Sequence, residues 1–169
     1  MIITKKLLIE KCACKDGLDF MEENNLYNMD SQDLALKLLE LKEFDYFVWF
    51  TKNFKIEDRK EMRDRITGSY YAYRYCKNVK DTKEIRDKIT DSYSAYLYCE
   101  NIEDRKEIRD KITDSDDACF YCEYVKDRKD MRDKITDSDD AYLYCRYTSK
   151  KDKRLNELAE QFKKGGFCE

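Results

Sequence analysis

The 169-residue chain contains no proline and no histidine, and it has only four glycines and one tryptophan. Proteins built from β-sheets and tight turns normally need more proline and glycine, so this scarcity favours helices joined by short polar turns. The absence of histidine removes the commonest general base and a principal zinc ligand. Together these absences indicate a helical protein and argue against the usual hydrolytic and zinc chemistries.

A strong charge of one sign is also missing. Lys and Arg number 34 and Asp and Glu number 37, which gives a formal net charge of -3. Proteins dedicated to nucleic acid or membrane binding are usually clearly basic. The opening MIITKKLLIEK lacks the features of a signal peptide, and no stretch approaches the roughly 18 apolar residues that span a membrane. We therefore expect a cytoplasmic protein with no membrane partner.

One sequence occurs four times between Arg63 and Cys145. The copies read RDRITGSYYAYRYC, RDKITDSYSAYLYC, RDKITDSDDACFYC and RDKITDSDDAYLYC, and they begin 23 residues apart, at Arg63, Arg86, Arg109 and Arg132. Repeats of this length cannot bury an apolar face alone, so they predict stacked units with a shared core.

Each repeat predicts two short helices. The first is expected to begin at an aspartate that opens a capping box, followed by an apolar pair at i, i+4 such as Ile85 and Ile89. The predicted capping residues are Asp58, Asp81, Asp104 and Asp127. The second helix carries Ala95, Cys99 and Ile102 on one side, which predicts a buried face.

A column of tyrosines recurs in the second helix, at Tyr75, Tyr98, Tyr121 and Tyr144. We expect these rings to be half-buried between copies, with their hydroxyls directed toward water or a backbone carbonyl.

The segments outside the repeats look like decayed copies, as terminal repeats commonly do. Near the start, Gly17 is expected to separate two short helices, Ser31 to cap a longer one, and Val48 to align with the repeat residue Ala95. Near the end, RLNELAEQF predicts a closing helix that stops at Gly165.

The fold prediction is an all-α protein, a short α-solenoid of 23-residue two-helix repeats with degenerate N- and C-terminal caps. Residues 1–169 form a single domain in this prediction: 1–56 are the N-terminal helical cap, 57–148 the four tandem repeats, and 149–169 the C-terminal capping helix and tail.

The eight cysteines would predict disulfides in a secreted protein. Four of them share one repeat position, and equivalent positions on packed helices lie about 8–10 Å apart, too far for a disulfide. Cys119 and Cys122 form a C-x-x-C pattern, but Cys122 is the repeat cysteine and Cys119 replaces a repeat tyrosine. We therefore expect reduced, buried thiols, and we predict no metal site, no cofactor and no catalytic residue.

The repeated part is similar to helix-turn-helix repeats of the HEAT-like and leucine-rich-variant type, although its unit is shorter. The opening CACKDGLDF followed by FVWF resembles uncharacterised bacterial and phage proteins that carry A-C-x-x-G-x-x-x-F before a Trp-rich helix. The match covers Ala13, Cys14, Gly17 and Trp49, with a one-residue slip at Phe20. This resemblance implies a bacterial or phage origin and implies no activity.

The candidate binding residues vary while the repeat frame stays constant. Directly after the turn, the four copies carry Tyr70 and Tyr71, then Tyr93 and Ser94, then Asp116 and Asp117, then Asp139 and Asp140. If the copies stack in register, these tyrosines and aspartates form a strip that runs from aromatic to acidic. The preference of aspartate for helix N-termini, together with sequence drift, explains the same pattern, and this alternative stays open. A second variable set, Arg74, Leu97, Phe120 and Leu143, forms either an exposed apolar patch or part of the core.

The functional prediction is a non-enzymatic protein-binding module that uses this strip. A more specific version of this prediction is that the protein inhibits a host defence nuclease of the CRISPR type, as anti-CRISPR proteins do. This version follows by analogy from the resemblance to phage proteins. The partner is then a nucleic-acid-processing complex. The alternative is direct nucleic-acid binding through the four repeated arginines and the basic run at 150–154, although an aspartate directly follows each repeated arginine.

Overall fold

Short helices carry almost all the regular structure of the computed structural model, which describes residues 1–148 and 152–164. These residues form thirteen helices and one antiparallel pair of two-residue strands, β1 (Ile2–Ile3) and β2 (Met29–Asp30). The helices before the repeats are α1 (Lys5–Glu10), α2 (Lys15–Glu23), α3 (Ser31–Glu40) and α4 (Phe44–Asn53).

Each repeat contributes one very short helix and one helix of ten residues. The short helices are α5 (Lys60–Arg65), α7 (Lys83–Asp87), α9 (Lys106–Arg109) and α11 (Lys129–Arg132). The long helices are α6 (Ser69–Asn78), α8 (Ser92–Asn101), α10 (Ser115–Tyr124) and α12 (Ser138–Tyr147), and α13 (Lys153–Lys164) follows them. The predicted all-α fold of 23-residue two-helix repeats with degenerate ends is confirmed.

The chain divides into two compact units, Met1–Lys88 (unit 1) and Ile89–Glu169 (unit 2). Within unit 1, α4 packs against α3 and α6, and α6 packs against α7. Within unit 2, α8 packs against α10, α10 against α12, and α12 against α13. Helices therefore pack in sequence order within each unit, as in helical repeat proteins.

The apolar frame of the repeat is buried, as predicted, except at Ile102 and Cys145, which are only half-buried. Ile102 lies just beyond the end of α8, so it does not share the helical face of Ala95 and Cys99. Ile85, Ile89 and Ala95 are completely inaccessible, and Cys99 is nearly so. Exposure is also at most 1% at the equivalent apolar residues of the other copies, Met62, Ile66, Ile108, Ile112, Met131 and Ile135. Helices of four to ten residues are not stable alone in water, so this burial against neighbouring elements must stabilise them.

The predicted capping role of the repeated aspartates is wrong. Each short helix has the next residue as its N-cap: Arg59, Thr82, Arg105 and Arg128. The Asp58 carboxylate instead accepts hydrogen bonds from the Arg63 guanidinium at 2.5 Å and from the Tyr75 hydroxyl at 2.7 Å. These two donors hold the carboxylate away from the helix N-terminus. The ion pair recurs as Asp81–Arg86, Asp104–Arg109 and Asp127–Arg132.

The tyrosine column is fully buried, not half-buried: Tyr75, Tyr98 and Tyr121 are 0% exposed and Tyr144 is 1% exposed. The hydroxyl of Tyr144 donates to Asp127 at 3.2 Å, and that of Tyr98 accepts from Arg105 at 3.1 Å. The hydroxyl partners of Tyr98 and Tyr144 are thus charged side chains, in place of the predicted water or backbone carbonyl.

Two kinds of hydrogen bond join successive copies inside a unit. Lys88 in unit 1 donates to the Ile66 carbonyl, and Lys134 in unit 2 donates to the Ile112 carbonyl. Both carbonyls lie just beyond the end of a short helix, where backbone acceptors lack helical partners. In addition, the buried Ser92 hydroxyl accepts the backbone N–H groups of Thr113 and Asp114, both at 3.1 Å, and Ser115 accepts those of Thr136 and Asp137.

The first helices of unit 1 begin and end differently from the prediction. Gly17 lies inside α2, and the break before α2 contains Cys12, which has a positive φ of 60°. Asp30, and not Ser31, caps α3, because its carboxylate accepts the Gln32 N–H at 2.8 Å.

The α4 helix is the degenerate counterpart of the long repeat helices, but the predicted alignment is one residue out of register. It begins 25 residues before α6, which places the buried Phe47 on the repeat residue Ala72. Val48, which was aligned with the repeat alanine, is only half-buried. Phe47 also stacks on Tyr75, with ring centroids 6.2 Å apart.

The predicted closing helix corresponds to α13, where Leu155 and Ala159 are buried. The Phe162 ring stacks on Tyr142 with centroids 5.3 Å apart. The predicted stop at Gly165 lies outside the described residues. None of the described helices combines the length and the apolarity needed to cross a bilayer.

Candidate protein-binding surface

The seven candidate residues separate according to their place in the long helices. Tyr70, Tyr93, Asp116 and Asp139, each the second residue of its helix, are exposed. The residues that follow them are turned inward: Tyr71 is half-buried, Asp117 is 3% exposed and Asp140 is 8% exposed. Only the first member of each pair is therefore fully available to a partner.

Asp117 and Asp140 are hydrogen-bonded between copies within unit 2. Asp117 hydrogen-bonds to the Ser92 hydroxyl, and Asp140 does the same with Ser115. Burial raises the pKa of the Asp117 carboxyl, the Ser92 hydrogen bond lowers it, and neighbouring carboxylates such as Asp116 raise it, which leaves it above its ordinary value. The structure thus gives these two aspartates an internal role rather than a place in an exposed strip.

In unit 1, Tyr71 is engaged by α4 while Tyr70 remains open. The Tyr71 ring stacks on Phe44 with centroids 4.8 Å apart, and its hydroxyl donates to Asp45 at 3.2 Å. Tyr70 is 39% exposed, and its hydroxyl accepts a hydrogen bond from Arg74 at 3.0 Å. Tyr70 is therefore the tyrosine of this pair that presents its ring to solvent.

Unit 2 presents five aromatic rings on its long helices, of which sequence reasoning missed Tyr96, Tyr124 and Tyr147. We name Tyr93, Tyr96, Phe120, Tyr124 and Tyr147 the aromatic surface. Successive centroids along Tyr93, Tyr96, Phe120 and Tyr124 are 6.4, 6.0 and 6.3 Å apart. Tyr93, Phe120, Tyr124 and Tyr147 are 54, 36, 57 and 55% exposed, whereas Tyr96 is nearly buried beneath them.

Helix geometry explains why these positions share a face. The second, sixth and tenth residues of a helix are spaced i, i+4, i+8 and lie along one side. In α10 these are Asp116, Phe120 and Tyr124. The tenth position holds Asn78, Asn101, Tyr124 and Tyr147 in the four copies, and this variation was the overlooked signal.

Carboxylates accompany the rings. Asp116 lies one turn before Phe120 on α10, and Asp139 occupies the equivalent position on α12. The Tyr96 hydroxyl donates to Glu100 at 3.0 Å, and a hydrogen bond with Glu123 raises the pKa of Tyr124. Aromatic faces and carboxylates both attract cations, and the Arg146 guanidinium already lies 5.5 Å from the Tyr147 ring centroid. The rings of Tyr93, Phe120 and Tyr124 are suited to Arg and Lys side chains of a partner.

No family model, curated protein or solved structure matches the chain. What the surface can bind is therefore inferred from its own rings and carboxylates.

The C-x-x-C pattern lies inside α10 and is enclosed. Cys119 and Cys122 are both buried, and burial raises the pKa of Cys119 to about 12 and that of Cys122 to about 11. The Cys119 thiol also donates to the Asp140 carbonyl at 3.4 Å. Metal ligation and redox chemistry require accessible thiolates, which this environment disfavours.

Among the described residues, one cluster brings three potential metal ligands together: Asp114, Asp116 and Asp117, whose ligand atoms lie within 4.8 Å of one another. Asp117 is bonded to the Ser92 hydroxyl, and its pKa is raised by burial and, to a smaller extent, by the neighbouring carboxylates. For these reasons we do not assign the cluster as a cation site.

The repeated arginines, the basis of the nucleic-acid alternative, are used inside the fold. Their side chains are 18, 14, 7 and 19% exposed for Arg63, Arg86, Arg109 and Arg132, and each contacts the aspartate five residues earlier. Guanidinium groups held in this way are not presented to a phosphate backbone. The basic run at 150–154 includes residues outside the described part of the chain.

Proposed function

We propose that this protein is a non-enzymatic binding module that recognises a basic protein surface through the aromatic surface of unit 2 and the carboxylates beside it. The observation that carries the proposal is the exposure of Tyr93, Phe120, Tyr124 and Tyr147 on one side of consecutive long helices. Large exposed aromatic patches on folded domains usually mark interaction sites.

The chemistry of the surface favours a cationic partner. Tyrosine rings bind Arg and Lys side chains through cation–π contacts of about 0.5–1 kcal/mol each when exposed. Asp116 and Asp139 add a field that speeds the encounter with a basic surface and weakens as salt rises. A cytoplasmic location agrees with free thiols in the interior of the fold.

A host defence nuclease of the CRISPR type is the narrower proposal, with this protein as a phage- or mobile-element-encoded inhibitor. A basic nucleic-acid channel has the charge that the aromatic surface and its carboxylates would complement. This narrower form rests on the resemblance of the chain's opening to phage proteins and on charge complementarity alone.

The test begins with affinity capture from cells of the native host, followed by purification of the captured protein. Its dissociation constant is then measured for the wild type and for Phe120→Asp, which places a charge among the rings. We expect Phe120→Asp to weaken binding at least about tenfold, because a desolvated charge replaces a central ring. Tyr70→Ser in unit 1 is the matched control and should change the constant less than about twofold.

Either of two results would contradict the proposal. One is equal affinity of the wild type and Phe120→Asp for the purified partner, with the variant folded by circular dichroism. The other is tight, steeply salt-dependent binding to DNA or RNA, with affinity falling more than about 100-fold between 50 and 200 mM salt, which would promote the nucleic-acid alternative.

A further inference from the structure

Unit 1 contains a cavity of about 190 Å³ between α1, α2, α3 and α4. Its floor consists of the buried side chains Leu8, Met21, Leu34, Leu38 and Phe50. An engineered apolar cavity of about 150 Å³ is large enough to bind benzene. The cavity in unit 1 therefore has room for one aromatic ring with a short substituent.

The walls of this cavity are aromatic. Phe20, Tyr46 and Trp49 line it and are only half-buried, and the centroids of the Phe20 and Tyr46 rings are 5.0 Å apart. Ring edges and faces at this spacing favour another aromatic ring by about 0.5–1.5 kcal/mol beyond simple area burial. The opening is bordered by the exposed residues Cys12 and Cys14.

Among the described residues that line the cavity, Asp45 carries the only formal charge. Its Oδ1 accepts a hydrogen bond from the Tyr71 hydroxyl, and within unit 1 no hydrogen bond to Oδ2 is formed. Burial raises the pKa of the Tyr46 hydroxyl beside it, and Cys14, Asp16 and Glu43 raise it further. A ligand with a positive group at the end of its ring substituent would place that group beside Asp45.

We propose that this cavity is a binding site for a small aromatic amine, with the ring among Phe20, Tyr46 and Trp49 and the ammonium group against Asp45. The site is independent of the aromatic surface in unit 2. Burial of the ring supplies most of the affinity, and the carboxylate selects the amine over neutral compounds of the same size.

Trp49 is the single tryptophan of the chain, so its fluorescence reports directly on the occupied cavity. The probe is 2-phenylethylamine, and its neutral counterpart is 2-phenylethanol. We expect a saturable change of emission with the amine, and an affinity for the alcohol that is weaker by about fivefold or more. Asp45→Asn should bring the two affinities together.

Gly17 gives a matched pair of variants that alter the cavity from within α2. A Cβ atom built at Gly17 lies 3.4 Å from the Cys14 sulfur and 3.7 Å from Tyr46, which are ordinary contacts. Gly17→Ala should therefore fold and retain binding, whereas Gly17→Leu should fill the cavity and abolish the response to both probes. Both substitutions favour the helix by up to about 1 kcal/mol.

Three outcomes would overturn this assignment: no saturable emission change at millimolar amine, equal affinity of the wild type for amine and alcohol, or full binding by a folded Gly17→Leu variant. If Gly17→Leu does not fold, Asp45→Asn decides alone, because Asp45 is exposed and its loss leaves the cavity intact. An unchanged preference for the amine in Asp45→Asn would then refute the site.

Discussion

The hydroxyl of Tyr75 donates a 2.7 Å hydrogen bond to the carboxylate of Asp58, 17 residues earlier in the chain. The same carboxylate receives the Arg63 guanidinium, so one aspartate holds two buried or half-buried groups in place. Burial raises the pKa of Asp58, but the hydrogen bonds from Tyr75 and Arg63 together lower it by more than burial raises it. The resulting pKa lies below the ordinary value for an aspartate. The Asp–Arg ion pair recurs in every copy, and the bond from the tyrosine hydroxyl recurs between Tyr144 and Asp127. In the first and fourth repeats, one aspartate therefore joins the short helix to the long helix.

Tyr75 and Tyr121 allow a test of this arrangement, because they occupy the same repeat position but only the Tyr75 hydroxyl has a hydrogen-bond partner among the described residues. Burial and the nearby Asp104 raise the pKa of the Tyr121 hydroxyl, yet this hydroxyl has no partner at hydrogen-bond geometry in the described residues. Tyr75→Phe should lower the free energy of unfolding by about 1–2 kcal/mol, whereas Tyr121→Phe should leave it unchanged or raise it slightly. Urea unfolding measures both, and an equal loss in the two variants would contradict this account of the hydroxyls.

Asp117 predicts a pH-dependent stability difference. Burial raises the pKa of Asp117 in the folded state. The stability that its protonated form contributes is fully present below the unfolded-state pKa of about 3.9. This contribution is lost as the pH rises through the folded-state pKa. Asp117→Asn should therefore be more stable than the wild type near pH 7, and this gain should disappear near pH 3. Thermal unfolding across this range is the measurement.

Asp116→Asn is the control for this prediction, because Asp116 is exposed on the same first turn of α10. Both substitutions remove a charge that favours the helix N-terminus, so their difference isolates the effect of burial. A gain as large in Asp116→Asn as in Asp117→Asn would show that burial of Asp117 is not the cause.

The cysteines should differ sharply in reactivity. Cys12 and Cys14 are exposed, whereas Cys76, Cys99, Cys119 and Cys122 are buried. Burial raises the pKa of Cys76 and Cys99 to about 12, which leaves almost no thiolate at neutral pH. Under native conditions, iodoacetamide should modify the peptide that contains Cys12 and Cys14 at least about 100-fold faster than the buried set. Comparable rates, measured by peptide mass spectrometry, would show that the repeats open readily.

The repeat frame was predictable from the sequence because the same residue types return at a fixed interval. Ile89, Ala95 and Cys99 had to share an environment with their copies, and period and polarity together indicated burial. The role of Asp58 was not predictable in the same way. An aspartate before a short helix satisfies the local rule for a cap, and only the fold reveals that Arg63 and Tyr75 compete for its carboxylate.

The candidate surface was predictable in part. Tyr93 and Asp116 were identified by their variation, but the sequence could not distinguish them from Asp117, because adjacent helix positions differ in burial only once the neighbouring copy is placed. Tyr124 was missed because an Asn-to-Tyr change at a helix end resembles drift. The cavity beside Trp49 depends on how side-chain volumes fill the space between four helices, which the pattern of the sequence does not encode.

The most direct test of the central claim is a paired measurement on the triple variant Tyr93→Ser/Tyr124→Ser/Tyr147→Ser. All three rings are more than half exposed and lie off the repeat frame, so each substitution should cost less than about 0.5 kcal/mol of folding free energy. The account predicts a melting temperature close to that of the wild type together with at least about a tenfold loss of affinity for the purified basic partner. A large drop in melting temperature with unchanged affinity would show that these rings belong to the fold and do not form a binding surface.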